Sequence, residues 1–360
     1  MGEGRTEEEV LEAIEARRRR PRRKVLDERI TLSHGAGGKA SRDLIEGIFV
    51  REFSNELLDP LGDSALVGTG RDQLAFTTDS FVVRPLFFPG GDIGELAVNG
   101  TINDLAMTGA TPLALSASFI VEEGLPVADL ERIAASAARA AETADVRIAT
   151  GDTKVVERGK ADGLYINTSG VGVVEHEHIL GPRAIRPGDV VLVSGPIGDH
   201  GMAVMVARGE LELEVELASD TAPLNGIVDV LLSDVVGVRC LRDPTRGGLA
   251  TVLAELALTA EVGITVRESE LPIRPEVTGA CEILGIDPIY VANEGKLIAI
   301  VAPDSANAAL AALRSHPLGR EAAIIAEVTP DPPGLVVLET AFGGSRVVDM
   351  LAGDPLPRIC

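Results

Sequence analysis

The 360-residue sequence contains no tryptophan, and aromatic residues make up only 3% of it. Its cores must therefore be assembled from Ala, Val, Leu and Ile, within a hydrophobic content of 45%. Positive charge is also short. Against 55 Asp and Glu stand 33 Lys and Arg, a formal net charge of −22. That balance argues against nucleic acid or an anionic membrane surface as the main partner. It also means that a polyphosphate ligand needs a metal ion or local donors to offset repulsion. The three cysteines, Cys240, Cys281 and Cys360, are an odd and widely spaced set that makes no disulfide framework. A membrane span needs about 18 consecutive apolar residues, and no such run is present. The N-terminus lacks the charged-then-apolar layout of a signal peptide. A cytoplasmic location is the expectation.

What is present is a chain long enough for two domains. Residues 1–28 stand apart as a charged extension, acidic and then arginine-rich from Arg17 to Lys24. Such a block is read as a solvated, partly helical or disordered segment, with an RNA-binding or import patch as the alternative. The first folded domain is expected over 29–178. Its strands include Leu74 to Thr78, Leu113 to Val121 and Leu164 to Val174. Between the last two lies a helix from Pro126 to Asp145, in which Leu130, Ile133, Ala134, Ala137, Ala138 and Ala141 keep the spacing of one buried face. The second domain is expected over 188–329. It opens on the apolar strand Val190 to Gly195, with helices near 222–234, 246–262 and 304–314 and strands near 263–267, 296–302 and 322–328. The alternation predicts an α/β or α+β layer structure. A tail is expected over 330–360, with Pro355 and Pro357 favouring extended backbone. Its last ten residues would reach roughly 33 Å if fully extended.

Several short strings carry polar or small residues suited to chemistry. SHGAGGKAS, Ser33 to Ser41, is a glycine-rich loop leading into a helix, where Gly35, Gly37, Gly38 and Lys39 can cradle phosphate. It is not a Walker A motif, because Ala40 follows the Gly-Lys pair. An ordinary flexible loop is the competing reading. Asp63, Asp79, Asp104 and Asp152 each sit beside small residues, at expected strand ends or turns. As hard oxygen donors they suit Mg²⁺, and singly they suit turns and caps. Lys154 follows Asp152 by two, which on a strand puts both side chains on one face. Thr245, Arg246 and Gly247 precede a helix in DPTRGG, and Glu294 lies in ANEGK at a loop-to-strand junction. Asp199 and His200 lie in GDHG, where a polar contact or plain turn chemistry are both open. His176 and His178 offer a metal-ligand pair or, with no cysteine or third histidine nearby, a boundary-loop pair. Cys240 and Cys281 sit among apolar residues as core side chains. Cys360, at the chain end after Pro, Arg and Ile, is a candidate nucleophile.

In order along the chain, SHGAGG, TTDSFVV, PLFFPGGDIGELAV, GTINDLA, GDTKVVERG, GDHG, DPTRGG, ANEGK and the terminal PLPRIC resemble the HypE family of carbamoyl dehydratases in nickel–iron hydrogenase maturation. That family lies within the AIR-synthase-related superfamily. The resemblance covers roughly residues 29–360. It implies a two-domain α/β (α+β) subunit whose N-terminal sheet pairs with that of a second copy into a barrel, with ATP near the junction. It implies that Gly35, Gly37, Gly38, Lys39, Asp79, Asn103, Asp152, Thr245, Arg246 and Gly247 contact ATP. It also implies that Asp63, Asp79, Asp104 and Asp152 hold Mg²⁺. Cys360 would carry a carbamoyl group loaded by a HypF-type carbamoyltransferase, and Lys154 and Glu294 would handle protons and orient substrate. The dehydrated group, a cyanide equivalent, would pass to a HypC–HypD complex as a ligand for iron.

Two departures stand out. LGDSA has a single Asp where many superfamily members have two, and the arginine-rich extension lies outside the pattern. The competing readings are a selenophosphate synthetase or AIR synthase, and a non-catalytic scaffold that docks through its tail. Selenophosphate synthesis would place Cys or selenocysteine in the glycine loop, where Ser33 and His34 stand, and a scaffold has no need of the aspartate set.

Overall fold

The computed structural model describes residues 29–69, 73–209, 216–351, 353 and 358–360. The N-terminal extension and the expected proline-stiffened stretch at Pro355 and Pro357 lie outside the described residues. Among the described residues no helix is long and apolar enough to cross a membrane.

After a helical segment that begins with α1 (Lys39–Leu44), the first unit is a five-stranded sheet. Its strands are β1 (Ala65–Gly68), β2 (Gln73–Phe81), β5 (Ala110–Glu122), β6 (Ile148–Val156) and β7 (Leu164–Val174), in the order β1-β2-β7-β5-β6. A short hairpin, β3 (Phe87–Phe88) and β4 (Gly91–Asp92), leads into α2 (Ile93–Met107), and α3 (Val127–Thr143) connects β5 to β6. That crossover makes β5 and β6 parallel, while the remaining neighbours are antiparallel. Strand parity then fixes the two faces. On β2 the inward set is Ala75, Thr77, Asp79 and Phe81, which lie under α2. The opposite face is open, with Phe76 half exposed.

Register carries this division across the sheet. Thr78 pairs with Ser169, Ser169 with Ser116, and Ser118 with Asp152. Asp152 and Lys154 therefore project from the open face, opposite to Asp79.

The second unit is a seven-stranded sheet of order β14-β13-β10-β12-β8-β11-β9. Its strands are β8 (Val190–Val193), β9 (Val238–Arg242), β10 (Gly263–Arg267), β11 (Ile298–Val301), β12 (Ala323–Thr329), β13 (Val336–Glu339) and β14 (Ser345–Val348). Helices cover both faces, which explains why its central strands are continuously apolar. Val191, Val193, Ile298 and Ile300 pack toward α6 (Gly248–Ala260). The alternate residues Leu192, Ala299 and Val301 pack toward α5 (Asn225–Asp234) and α8 (Ala306–Ser315). The two remaining helices, α4 (Asp199–Ala207) and α7 (Pro275–Leu284), close a core shared between the units. There Met202, Ala203, Val277 and Val291 meet Phe81, Ile93, Leu96 and Ile133.

Two expectations need correction. The tail was expected to start at residue 330, but β13 and β14 belong to the second sheet, which therefore runs to Val348. Asp104 was expected at a strand end or turn, but it lies inside α2. That helix is buried on nearly every side, so it lacks the apolar stripe that announces a helix.

Candidate functional site

The site forms where the inward face of the first sheet meets the loops of the second unit. Asp104 projects from α2 toward the start of β1 and the end of β9. There its carboxylate, that of Asp63 and that of Asp243 offer oxygens all within 4.8 Å of one another. Thr77 on β2 braces the group, its hydroxyl 2.7 Å from Asp104 Oδ2 and 2.9 Å from the Asp63 carbonyl. The only cation in direct contact among the described residues is Arg242, 3.1 Å from Asp63 and shared with Glu255 at 3.6 Å. Burial pushes all three carboxyls above the usual carboxylate range against the pull of Arg242 on Asp63, and repulsion from neighbouring acids adds to it at Asp104 and at Asp243, which rises to about 7. Three clustered hard oxygen donors with one guanidinium among them are a donor set that fits a divalent cation such as Mg²⁺.

Beside this cluster the chain end is tucked in. Cys360 lines a cavity of about 210 Å³ with Leu32, Gly35, Ser80, Arg246, Tyr290 and Leu351. Its thiol lies beside the Glu294 carboxylate, near enough for each group to shift the other's pKa. Glu294 is 3% exposed, and its Oε1 has no hydrogen-bond partner among the described residues. Burial, with Asp243, Asp79 and Asp220 adding repulsion, raises its pKa well above the ordinary value. Burial also raises the Cys360 thiol, helped by Glu294 and Asp79 and opposed by Arg246. The docked sulfur is thus held as a thiol, not a thiolate.

The loops are held by backbone-directed polar side chains. Asn293 accepts from Gly198 N–H at 2.8 Å and donates to the Pro244 carbonyl at 2.8 Å, tying GDHG, DPTRGG and ANEGK into one junction. Asp220 accepts from Glu294 N–H at 3.0 Å and pairs with buried Lys296 at 3.0 Å. The glycine loop packs against this junction. Gly37 has a φ of +75°, and a Cβ there would come within 2.8 Å of Arg246 Cβ. A Cβ on Gly38 would strike the Leu351 carbonyl, which accepts from Lys39 N–H at 2.9 Å. Arg246 Nη1 donates to the Gly35 carbonyl at 3.1 Å. Thr245 closes its turn by accepting from Gly248 N–H, and Gly247 takes a φ of +77°.

The structure brings together Cys360, Glu294, Asp63, Asp79, Asp104, Arg246, Gly247 and the glycine loop. Asp152 and Lys154 stay apart. Their ion pair, 2.6 Å, lies on the open face with the side chains 62% and 68% exposed. The expected metal set is corrected accordingly: within one chain, strand parity keeps Asp152 from Asp63 and Asp104. Asn103 is almost fully buried, and its amide donates to the Ala222 and Glu294 carbonyls and accepts from Leu224 N–H. It joins the two units and has no polar atom left over for a nucleotide.

Asp243 was missed as a ligand, although it opens DPTRGG. Its signal was its place between the strand Val238–Arg242 and a glycine pair. His176 and His178 are a boundary pair, contacting the Thr108 carbonyl at 2.8 Å and the Leu232 carbonyl at 2.9 Å. Cys240 and Cys281 are buried core residues whose thiols are pushed up to about 12 and about 11.

Comparison with known proteins agrees with this architecture. The N-terminal domain of the AIR synthase related proteins matches residues 62–174 and their C-terminal domain matches 186–338. The carbamoyl dehydratase HypE of Rhizobium leguminosarum bv. viciae is 54% identical over 337 residues, covering 93% of this chain and 96% of that protein. The structure is similar to a HypE in its complex with HypF, with a TM-score of 0.81 and 49% identity over 86% of this chain and 99% of that one. It is also similar to a HypE in complex with ATP, with a TM-score of 0.78 and 47% identity over 92% and 100%. The two sheets, the acidic cluster between them and this similarity over nearly the whole length place the chain in the HypE family of carbamoyl dehydratases.

Proposed function

We propose that the chain converts a carbamoyl group carried on the Cys360 sulfur into a thiocyanate at the expense of ATP. The observation that carries this reading is the terminal thiol of Cys360 seated beside buried Glu294 and the acidic cluster. An amide oxygen is a poor leaving group. Transfer of the γ-phosphoryl group of ATP onto it, with ADP leaving, makes it a good one. Loss of that phosphate and of the nitrogen's protons then leaves the carbon–nitrogen triple bond on sulfur. A divalent cation held by Asp63, Asp104 and Asp243, with Asp79 beside them, supplies charge neutralisation at the phosphates when bound.

Glu294 is the group placed to take a proton from the carbamoyl nitrogen, since its Oε1 has no hydrogen-bond partner among the described residues and burial raises its pKa above the ordinary carboxylate value. Arg246, Gly247 and Gly35 line the same cavity, and with Gly37, Gly38, Lys39 and Thr245 in the adjoining loops they contribute donors to the phosphates. Because the docked thiol is protonated, attack on an incoming carbamoyl group belongs to an undocked Cys360, where solvent allows the thiolate. The donor is a HypF-type carbamoyltransferase, and a HypC–HypD complex accepts the cyanide. Lys154 and Asp152 join the site from a second copy, whose open sheet face packs on that of the first in a homodimer. The exposed Phe76 and Ile120 on that face support this pairing.

The test is intact-mass spectrometry with the carbamoyltransferase, carbamoyl phosphate and ATP. Cys360 gains one carbamoyl group and then loses one water only when ATP and Mg²⁺ are both present. Gain and dehydration of the adduct in Cys360→Ala would defeat the reading.

A further inference from the structure

The last three residues are each held by a different part of the fold. The Arg358 carbonyl accepts from Arg84 N–H at 3.1 Å and from Arg208 Nη2 at 2.8 Å. Arg208 also donates through Nε to the Arg84 carbonyl at 2.8 Å, so the two arginines form one clamp. The Arg358 guanidinium reaches back to Asp162 at 2.9 Å. Ile359 is 5% exposed, inserted into the core shared by the two units. Its carbonyl accepts from His200 Nε2 at 2.8 Å. With Nε2–H committed to a carbonyl, the His200 Nδ1 is the acceptor for the Ser219 hydroxyl at 2.8 Å. The edge of Phe88 fixes the same ring.

Arg358 also has a φ of +57°. A non-glycine residue persists in that region only where its surroundings over-determine it. None of Arg84, Asp162, His200 or Arg208 belongs to the acidic cluster or the glycine loop, and dehydration makes no demand on them.

We propose that Arg84, Asp162, His200 and Arg208 form a binding site for the chain's own C-terminal peptide, recognising Arg358 by its charge and Ile359 by its shape. The dock sets how Cys360 divides between Glu294 and the loading partner, and in this consequence it rests on the carrier reading above. The charged half of the dock is partly solvated, with Arg358 40% and Asp162 21% exposed, so salt weakens it. The Ile359 half is dry and does not respond to salt. Docking is therefore reversible, as a carrier requires.

The experiment measures iodoacetamide alkylation of native full-length protein by intact mass, with peptide mapping to separate Cys360 from buried Cys240 and Cys281. A synthetic peptide ending Arg-Ile-Cys is the reference. Wild-type Cys360 reacts at least about tenfold more slowly than the peptide, the ratio given by about 1.4 kcal/mol of docking free energy. Ile359→Asp, which alters only the tail, and Arg208→Ala both bring the rate close to that of the peptide. Both variants also gain the carbamoyl group faster and dehydrate it more slowly, a pair of opposite changes that general loss of stability does not produce.

Alkylation of wild-type Cys360 at the peptide's rate, or no change in Ile359→Asp, overturns the dock. A protected Cys360 whose carbamoyl adduct never loses water leaves the dock standing and defeats the dehydratase reading instead.

Discussion

Glu294 and Lys154 are the two proton-handling candidates, and the fold treats them in opposite ways. Glu294 is sealed against the chain end, surrounded by other acids, and keeps one oxygen unpaired. Lys154 stands on an edge strand in solvent, its charge already answered by Asp152. A group in the first condition is poised to exchange a proton. A group in the second is at rest. The contrast teaches that burial and solvent exposure separate the two candidates within one copy, so that under the proposed function Lys154 has to reach the site from a second copy.

The largest expected effect is that of Glu294→Gln, which lowers single-turnover dehydration of carbamoyl-Cys360 by on the order of 10²–10⁴-fold. Mass spectrometry reads this directly, and an unchanged rate would remove the buried end from the chemistry. The same variant sharpens the electrostatic side of the contrast. Its folded-state pKa lies above the ordinary 4.5, so the folded protein binds the proton more tightly than the unfolded chain. Stability from this group is present at low pH and is lost as pH rises above 4.5 toward the raised value. The melting temperature of Glu294→Gln therefore gains on wild type as pH rises.

Lys154→Ala comes next, with dehydration falling by about 10²-fold while the melting temperature stays put, because the pair it breaks is exposed. Mixing Lys154→Ala with Glu294→Gln tests the division between copies. Activity returns in the mixture when the site is shared across a dimer, and stays lost when each chain works alone. Asp243→Asn has a smaller effect, raising the Mg²⁺ concentration for half-maximal dehydration by on the order of tenfold. An unchanged Mg²⁺ dependence would take Asp243 out of the cluster's function.

The smallest effect concerns His200. Burial lowers its pKa below the ordinary 6.5, so the unfolded chain binds its proton first. Stability from neutral His200 is present above 6.5 and is lost as pH falls below it. Thermal melting of wild type and His200→Gln from pH 7 downward shows the difference closing, with the contribution of His316, whose pKa burial also lowers, common to both.

Much of this was legible beforehand where a single physical signal dominated. β7 and β10 match the spans read from their apolar residues. The helix α3 is where it was expected, with Ile133, Ala137 and Ala141 buried as read, but Ala134 and Ala138 are exposed and Ser136 and Ala140 are buried in their place. The shared face of Asp152 and Lys154 came from strand parity alone, although parity in one strand does not tell which face of the sheet that is. Asp104 was misplaced because α2 is wrapped by protein on nearly all sides and shows no period. Asp243 was overlooked because its partners lie some 140 and 180 residues earlier, a nearness only the fold creates. The second sheet claimed β13 and β14 because short strands among Pro and Gly resemble a loose tail until a neighbour pairs with them.

Asn103 and Asp104 are neighbours on α2, yet one grips the backbone of Glu294 and the other enters the acidic cluster. One residue of helix separates them, about 1.5 Å of rise and about 100° of turn. Under the proposed function, cation capture and proton transfer are thus mounted on one rigid shaft. Their spacing is set by helix geometry and not by loop conformation, so the two events keep their alignment wherever Cys360 stands.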